Sequence, residues 1–155
     1  MSPNLTYLAA WVLLWVTLAA VCGYAFWRGG AAERSAATLI LLIAVLSTAA
    51  RLFFSQDDIL VPRLIAEGVA ALGFLLLAMR FSSLWIGGVM MLQAFQFSLQ
   101  AFYFVTDRHH DLFYVAMNNL NFLGILVCLA LGTWAANRRA GLDRASAASL
   151  PPEAI

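Results

Sequence analysis

Residues 82–104 read SSLWIGGVMMLQAFQFSLQAFYF and contain no charged side chain. About 20 apolar helical residues are needed to cross a bilayer core about 30 Å thick, so this stretch is long enough to form a membrane-spanning helix. Its large polar residues are Gln93, Gln96, Gln100 and Tyr103, followed by Asp107, and they recur at intervals of three and four. That spacing places them on one face of the helix. The stretch therefore predicts a membrane helix with one polar face.

The composition of the whole chain agrees with a membrane location. Of the 155 residues, 63% are hydrophobic and 11% are charged, whereas a soluble domain has about 45–50% apolar and about 25% charged residues. A soluble fold of this size leaves too many positions in contact with water to bury so much apolar surface. The chain is therefore predicted to be an integral membrane protein, and its net charge of +1 gives no support to nucleic-acid binding.

The apolar stretches predict an all-α, polytopic membrane protein in which five transmembrane helices form one bundle. A single transmembrane domain would cover residues 1–139, and residues 140–155, rich in Ala, Ser and Pro, predict a disordered cytoplasmic tail. Because the connections are short, neighbouring helices should pack antiparallel. The predicted helices span residues 5–27, 35–54, 59–79, 82–104 and 113–134.

The distribution of arginine predicts the orientation of this bundle. Basic residues are enriched in cytoplasmic loops, and all nine basic residues of the chain are arginines. Three of them, together with four aspartates, fall on the side that carries the N-terminus. The other six fall on the opposite side: Arg28, Arg34, Arg80, Arg138, Arg139 and Arg144. The N-terminus is therefore predicted to lie outside and the C-terminus in the cytoplasm.

Polar residues inside the predicted spans are concentrated in the half toward the outer face. Polar groups in hydrocarbon need partners, and ionisable ones usually face a bundle interior or a wet cavity. Glu67 lies four residues after Arg63, so it could pair with Arg63 or with the helix-4 glutamines. We expect these faces to meet in a pocket or network that serves as a ligand site or as interhelical hydrogen bonding. The candidate residues are Arg51, Arg63, Glu67, Gln93, Gln96, Gln100, Tyr103, Asn118 and Asn121.

No catalytic site and no cofactor are predicted. The sequence shows no set of nucleophile, base and orienting group, and it has no lysine for Schiff-base chemistry. The loop between the fourth and fifth predicted helices contains a weak candidate for zinc or copper binding, formed by Asp107, His109, His110 and Asp111. Adjacent histidines in a short loop, with no third histidine in the chain, favour a solvated loop instead.

The segment that closes the first predicted helix, Trp27-Arg28-Gly29-Gly30-Ala31-Ala32-Glu33-Arg34, occurs in a chain that is rich in Ala and Arg and free of Lys. In this composition, and in the segment that closes the first predicted helix, the sequence resembles small uncharacterised inner-membrane proteins of alphaproteobacteria. The resemblance implies a multi-pass protein of the bacterial inner membrane, and it implies no activity.

Three functions are compatible with this pattern. The first is a small non-catalytic membrane protein that binds a ligand, a lipid or a protein partner through its outer-leaflet polar face. The second is an accessory subunit of a larger membrane complex. The third is a small transporter in which Glu67 is the titrating group. Besides the lipid bilayer, the expected partners are another membrane protein or further copies of this chain.

Overall fold

The computed structural model of the protein is all-helical and describes residues 3–53, 60–106 and 111–148, apart from some side chains near the helix ends. These residues form five helices, and each is long and apolar enough to cross a membrane. This confirms the helical class and the predicted number of helices that could span a membrane. The helices are α1 (Pro3–Arg28), α2 (Ala31–Phe53), α3 (Leu60–Phe81), α4 (Leu84–Val105) and α5 (Leu112–Ala148).

Two helices are longer than their hydropathy predicts. α5 continues to Ala148, whereas the predicted span ends at residue 134, so residues 140–148 are helical and not the predicted disordered tail. α2 begins at Ala31, four residues before the predicted start at residue 35. Both extensions are rich in Ala and Arg, which are strong helix formers although they add little hydropathy. Residues 149–155 lie outside the described part of the chain.

Each helix packs against the next one in the chain, and α5 closes the bundle by packing against both α1 and α2. Consecutive helices run in opposite directions, so α1 and α3 finish at one end of the bundle and α2 and α4 finish at the other. We call the end where α1 and α3 finish the arginine-rich end, since it carries Arg28, Arg34 and Arg80. We call the half near the opposite end, where α2 and α4 finish, the polar half.

The buried apolar residues lie mainly toward the arginine-rich end. Leu18 and Cys22 on α1 pack with Ile40 on α2, with Val89 on α4 and with Leu129 on α5. Most buried polar residues, among them the glutamines of α4, lie in the polar half instead. The interior of the bundle is therefore divided along its axis into an apolar part and a polar part.

Small residues allow the helices to approach closely. A Cβ atom built on Gly132 would lie 2.6 Å from the indole ring of Trp85, so a larger residue at this position would force the indole or the helices to shift. A Cβ on Gly73 would lie 2.7 Å from the side chain of Leu39, so glycine at this position of α3 leaves room for a side chain of α2. The connection between α3 and α4 includes Ser82 in a left-handed conformation, with φ of 40°.

Large apolar side chains cover the outside of the bundle. Leu76 is 66% exposed, Met91 is 78% exposed and Leu131 is 58% exposed. In water so many exposed apolar residues would promote aggregation, but lipid tails are as apolar as these side chains. The exposed surface is thus the surface expected of a multi-pass membrane protein.

Candidate functional site

The polar face of α4 points into the bundle. Gln93, Gln96, Gln100 and Tyr103 are each no more than 5% exposed. They continue a buried face that starts with Ile86 and Val89 nearer the arginine-rich end. One helix face thus changes from apolar to polar along its length, and the change occurs where the bundle interior changes from apolar to polar.

Glu67 of α3 is bound by two glutamines of α4. Gln93 donates a hydrogen bond of 2.7 Å from Nε2 to Oε2 of Glu67 and a second one of 3.4 Å to its backbone oxygen. Gln100 donates a hydrogen bond of 3.4 Å from Nε2 to Oε1 of the same carboxylate. The expected partners of Glu67 were Arg63 and the glutamines of α4, and the structure shows the glutamines bound to it. The side chains of Arg63 and Arg51 lie outside the described residues.

Gln96 connects α4 to α5 through a hydrogen bond of 2.6 Å from its Nε2 to Oδ1 of Asn118. Asn121 lies one turn further along α5 and is 4% exposed. Two acceptor atoms in this part of the site, Oε1 of Gln96 and Oδ1 of Asn121, are fully buried and accept no hydrogen bond from any described residue. These two buried amide oxygens therefore have no hydrogen-bond donor among the described residues.

Tyrosine and aspartate side chains close the polar half at its end. Tyr103 donates a hydrogen bond of 2.7 Å to Oδ1 of Asp111, and the backbone N–H of Tyr114 donates to the same oxygen at 2.9 Å. The second bond is the capping interaction of an aspartate immediately before a helix, because the third helical N–H has no intrahelical partner. The rings of Tyr103 and Tyr114 pack with their centroids 4.8 Å apart.

This arrangement gives Asp111 a structural role in capping α5. The other members of the weak metal candidate, Asp107, His109 and His110, lie outside the described residues. Within the described ranges, no group of three or more His, Cys, Asp or Glu side chains is placed to hold a metal ion.

Sequence reasoning missed a second buried polar contact, at the arginine-rich end. Glu33 is 6% exposed and accepts hydrogen bonds from the backbone N–H of Gly30 at 2.9 Å and from Nε1 of Trp85 at 3.2 Å. Glu33 lies three residues after Gly30, the residue that precedes α2, and this is the spacing of a capping box. That spacing was visible in the sequence, whereas the partner Trp85, 52 residues away, was not.

Comparisons with protein-family models, with curated proteins and with solved structures find no match to this chain. The class of protein is therefore defined by the fold alone, as a multi-pass helical protein with five candidate membrane spans. Chemically, the buried site offers a carboxylate and several amide oxygens, which are acceptors for hydrogen-bond donors or for cationic groups.

Proposed function

We propose that the protein is a small, non-catalytic membrane protein that binds a hydrogen-bond-donating ligand, such as an amine or a hydroxyl compound, in its polar half. The observation that carries this proposal is the pair of buried acceptors without donors, Oε1 of Gln96 and Oδ1 of Asn121. Leaving a buried polar atom without a partner costs about 1–3 kcal/mol. A ligand that donates a hydrogen bond to either oxygen would recover part of this free energy on binding.

The inward orientation of the polar face favours this function over that of an accessory subunit. If the α4 glutamines bound another protein, they would have to lie on the surface of the bundle. Gln93 and Gln100 instead bind Glu67, and Gln96 binds Asn118, within the same chain. A partner protein would have to contact the mainly apolar outer surface, on which Ser98 and Asn119 are exposed polar residues near the level of these glutamines.

Native mass spectrometry of the gently purified protein tests the proposal. We expect a small molecule to co-purify with the parent and to be lost from Asn121→Leu, because Asn121 is buried in the site. Asn119→Leu is the matched control: it makes the same change on the same helix, but residue 119 is exposed. Equal occupancy in both variants, or a parent that carries no ligand, would argue against a binding site at Asn121.

A second candidate function is proton-coupled transport with Glu67 as the titrating group. The feature that favours it is a carboxylate within a candidate membrane span that is bound by two neutral amides. Glu67→Gln separates the two functions, since it keeps the shape and an acceptor oxygen but cannot titrate. Loss of proton flux in proteoliposomes with retained ligand binding would favour the transporter.

We further propose that the protein lies in a bacterial inner membrane with its N-terminus outside, which would place the ligand site in the outer leaflet. The excess of arginine at the opposite end supports this orientation. Reporter fusions after Arg80 and Arg139 should then report the cytoplasm, and fusions after Asp58 and His110 should report the outside. A cytoplasmic signal at His110 would reverse the orientation.

A further inference from the structure

An open cleft of about 460 Å³ lies at the arginine-rich end, between the α1–α2 connection and the C-terminal part of α5. Its volume is within the range of about 300–1,000 Å³ that is typical of small-molecule sites. The cleft is far from the polar half, and neither the α4 glutamines nor Glu67 line it. Its lining includes Gly29 and Gly30 from the α1–α2 connection and Ala136, Asn137 and Ala140 from α5.

Three arginines from three different elements line this cleft: Arg28 ends α1, Arg34 lies in the first turn of α2, and Arg144 lies near the end of α5. No described carboxylate forms a hydrogen bond or an ion pair with these three guanidinium groups. The acidic residues nearby are Glu33, whose carboxylate binds Gly30 and Trp85, and the exposed Asp143. The cleft is therefore positively charged.

The cleft lies at the end of the candidate membrane span of α1, where lipid headgroups are expected to meet the protein. Trp27, which lines it, is 76% exposed and stacks with Arg28 at 4.8 Å, and exposed tryptophan is typical of the membrane interface. The candidate span of α1 ends at Arg28. Exposed apolar residues of α1 and α5 lie next to the cleft, on its side toward the middle of the bundle, and include Phe26, Leu131 and Trp134.

From this geometry we propose that the cleft binds the phosphate headgroup of an anionic phospholipid, with the acyl chains lying against the apolar surface of α1 and α5. Arginine is suited to this ligand because its planar guanidinium group binds phosphate oxygens through two hydrogen bonds. Basic pockets between membrane helices are a recurrent type of site for anionic headgroups. The position at the interface favours a lipid over a soluble phosphate compound.

Native mass spectrometry with added phosphatidylglycerol, and with phosphatidylcholine as the neutral lipid, measures this binding. A triple variant removes the three cleft arginines: Arg28→Gln, Arg34→Gln and Arg144→Gln. The control removes the same charge from the same end without touching the cleft: Arg80→Gln, Arg138→Gln and Arg139→Gln. We expect the cleft variant to bind phosphatidylglycerol about a hundred-fold more weakly, since each of the three arginines contributes about five-fold. We expect the control to bind it nearly as the parent does.

If the triple variant does not fold, Arg144→Gln and its control Arg139→Gln provide the comparison, because both exposed residues lie beyond the α5 stretch that packs in the core. The expected loss for Arg144→Gln alone is about five-fold. Equal losses in the cleft and control variants would refute the site, as would equal binding of the two lipids. Glycerol 3-phosphate binding as tightly as phosphatidylglycerol, with the same arginine dependence, would overturn the lipid assignment in favour of a soluble anion.

Discussion

Replacing Glu67 by alanine removes the acceptor that joins α3 to α4 in the polar half. Glu67 lies seven residues after the start of α3 at Leu60, which corresponds to a depth of roughly 10 Å along the helix. Interhelical hydrogen bonds in membranes contribute about 0.6 kcal/mol on average and at most about 1.7 kcal/mol. We therefore assign the 2.7 Å hydrogen bond from Gln93 a contribution of about 1.7 kcal/mol and the 3.4 Å hydrogen bond from Gln100 a contribution of about 0.6 kcal/mol. Glu67→Ala should therefore lower the free energy of unfolding by about 2 kcal/mol.

Glu67→Gln keeps one oxygen that can accept the shorter bond from Gln93, so we expect it to lose only the Gln100 bond, about 0.6 kcal/mol, or roughly a third of the effect of alanine. Reversible unfolding in mixed micelles with increasing dodecyl sulfate, followed by circular dichroism, measures both variants. Ile65→Ala is the control, because residue 65 is on the same helix and is 61% exposed. Glu67→Ala unfolding within about 0.5 kcal/mol of the parent would show that the α4 glutamines do not bind this carboxylate.

Two further predictions concern contacts with α5. Gly132→Ala should destabilise the protein by about 1–3 kcal/mol, because the new Cβ would lie 2.6 Å from the ring of Trp85. The control is Gly141→Ala on the same helix, where a new Cβ meets nothing within 4 Å, so this variant should be neutral or more stable by up to about 1 kcal/mol. Similar thermal melting of both variants would contradict the close contact between Gly132 and Trp85. A double-mutant cycle with Gln96→Leu and Asn118→Leu should give a coupling energy of about 0.6 kcal/mol and no more than about 1.7 kcal/mol, and a coupling of zero would mean that the 2.6 Å bond between these residues contributes nothing to stability.

Much of the architecture was predictable because it depends on local properties of the chain. Five apolar stretches of sufficient length predict five spans, and the described residues form five helices that are long and apolar enough to span a membrane. The spacing of Gln93, Gln96 and Gln100 predicts one helix face, since helical periodicity needs no knowledge of the neighbours. The same local reasoning failed at the end of α5, where hydropathy falls but helix propensity stays high through Ala148.

The pairing of side chains depended on the tertiary structure. The sequence alone did not show whether the glutamines of α4 reach Glu67, and the rotation of α3 against α4 brings Gln93 and Gln100 to it. Likewise, no local pattern connects Trp85 to Glu33, because their contact joins positions 52 residues apart. Helix rotation and spacing are set by close contacts such as that of Gly132 with Trp85. Local sequence determines which residues share a face, whereas packing between helices determines which faces meet.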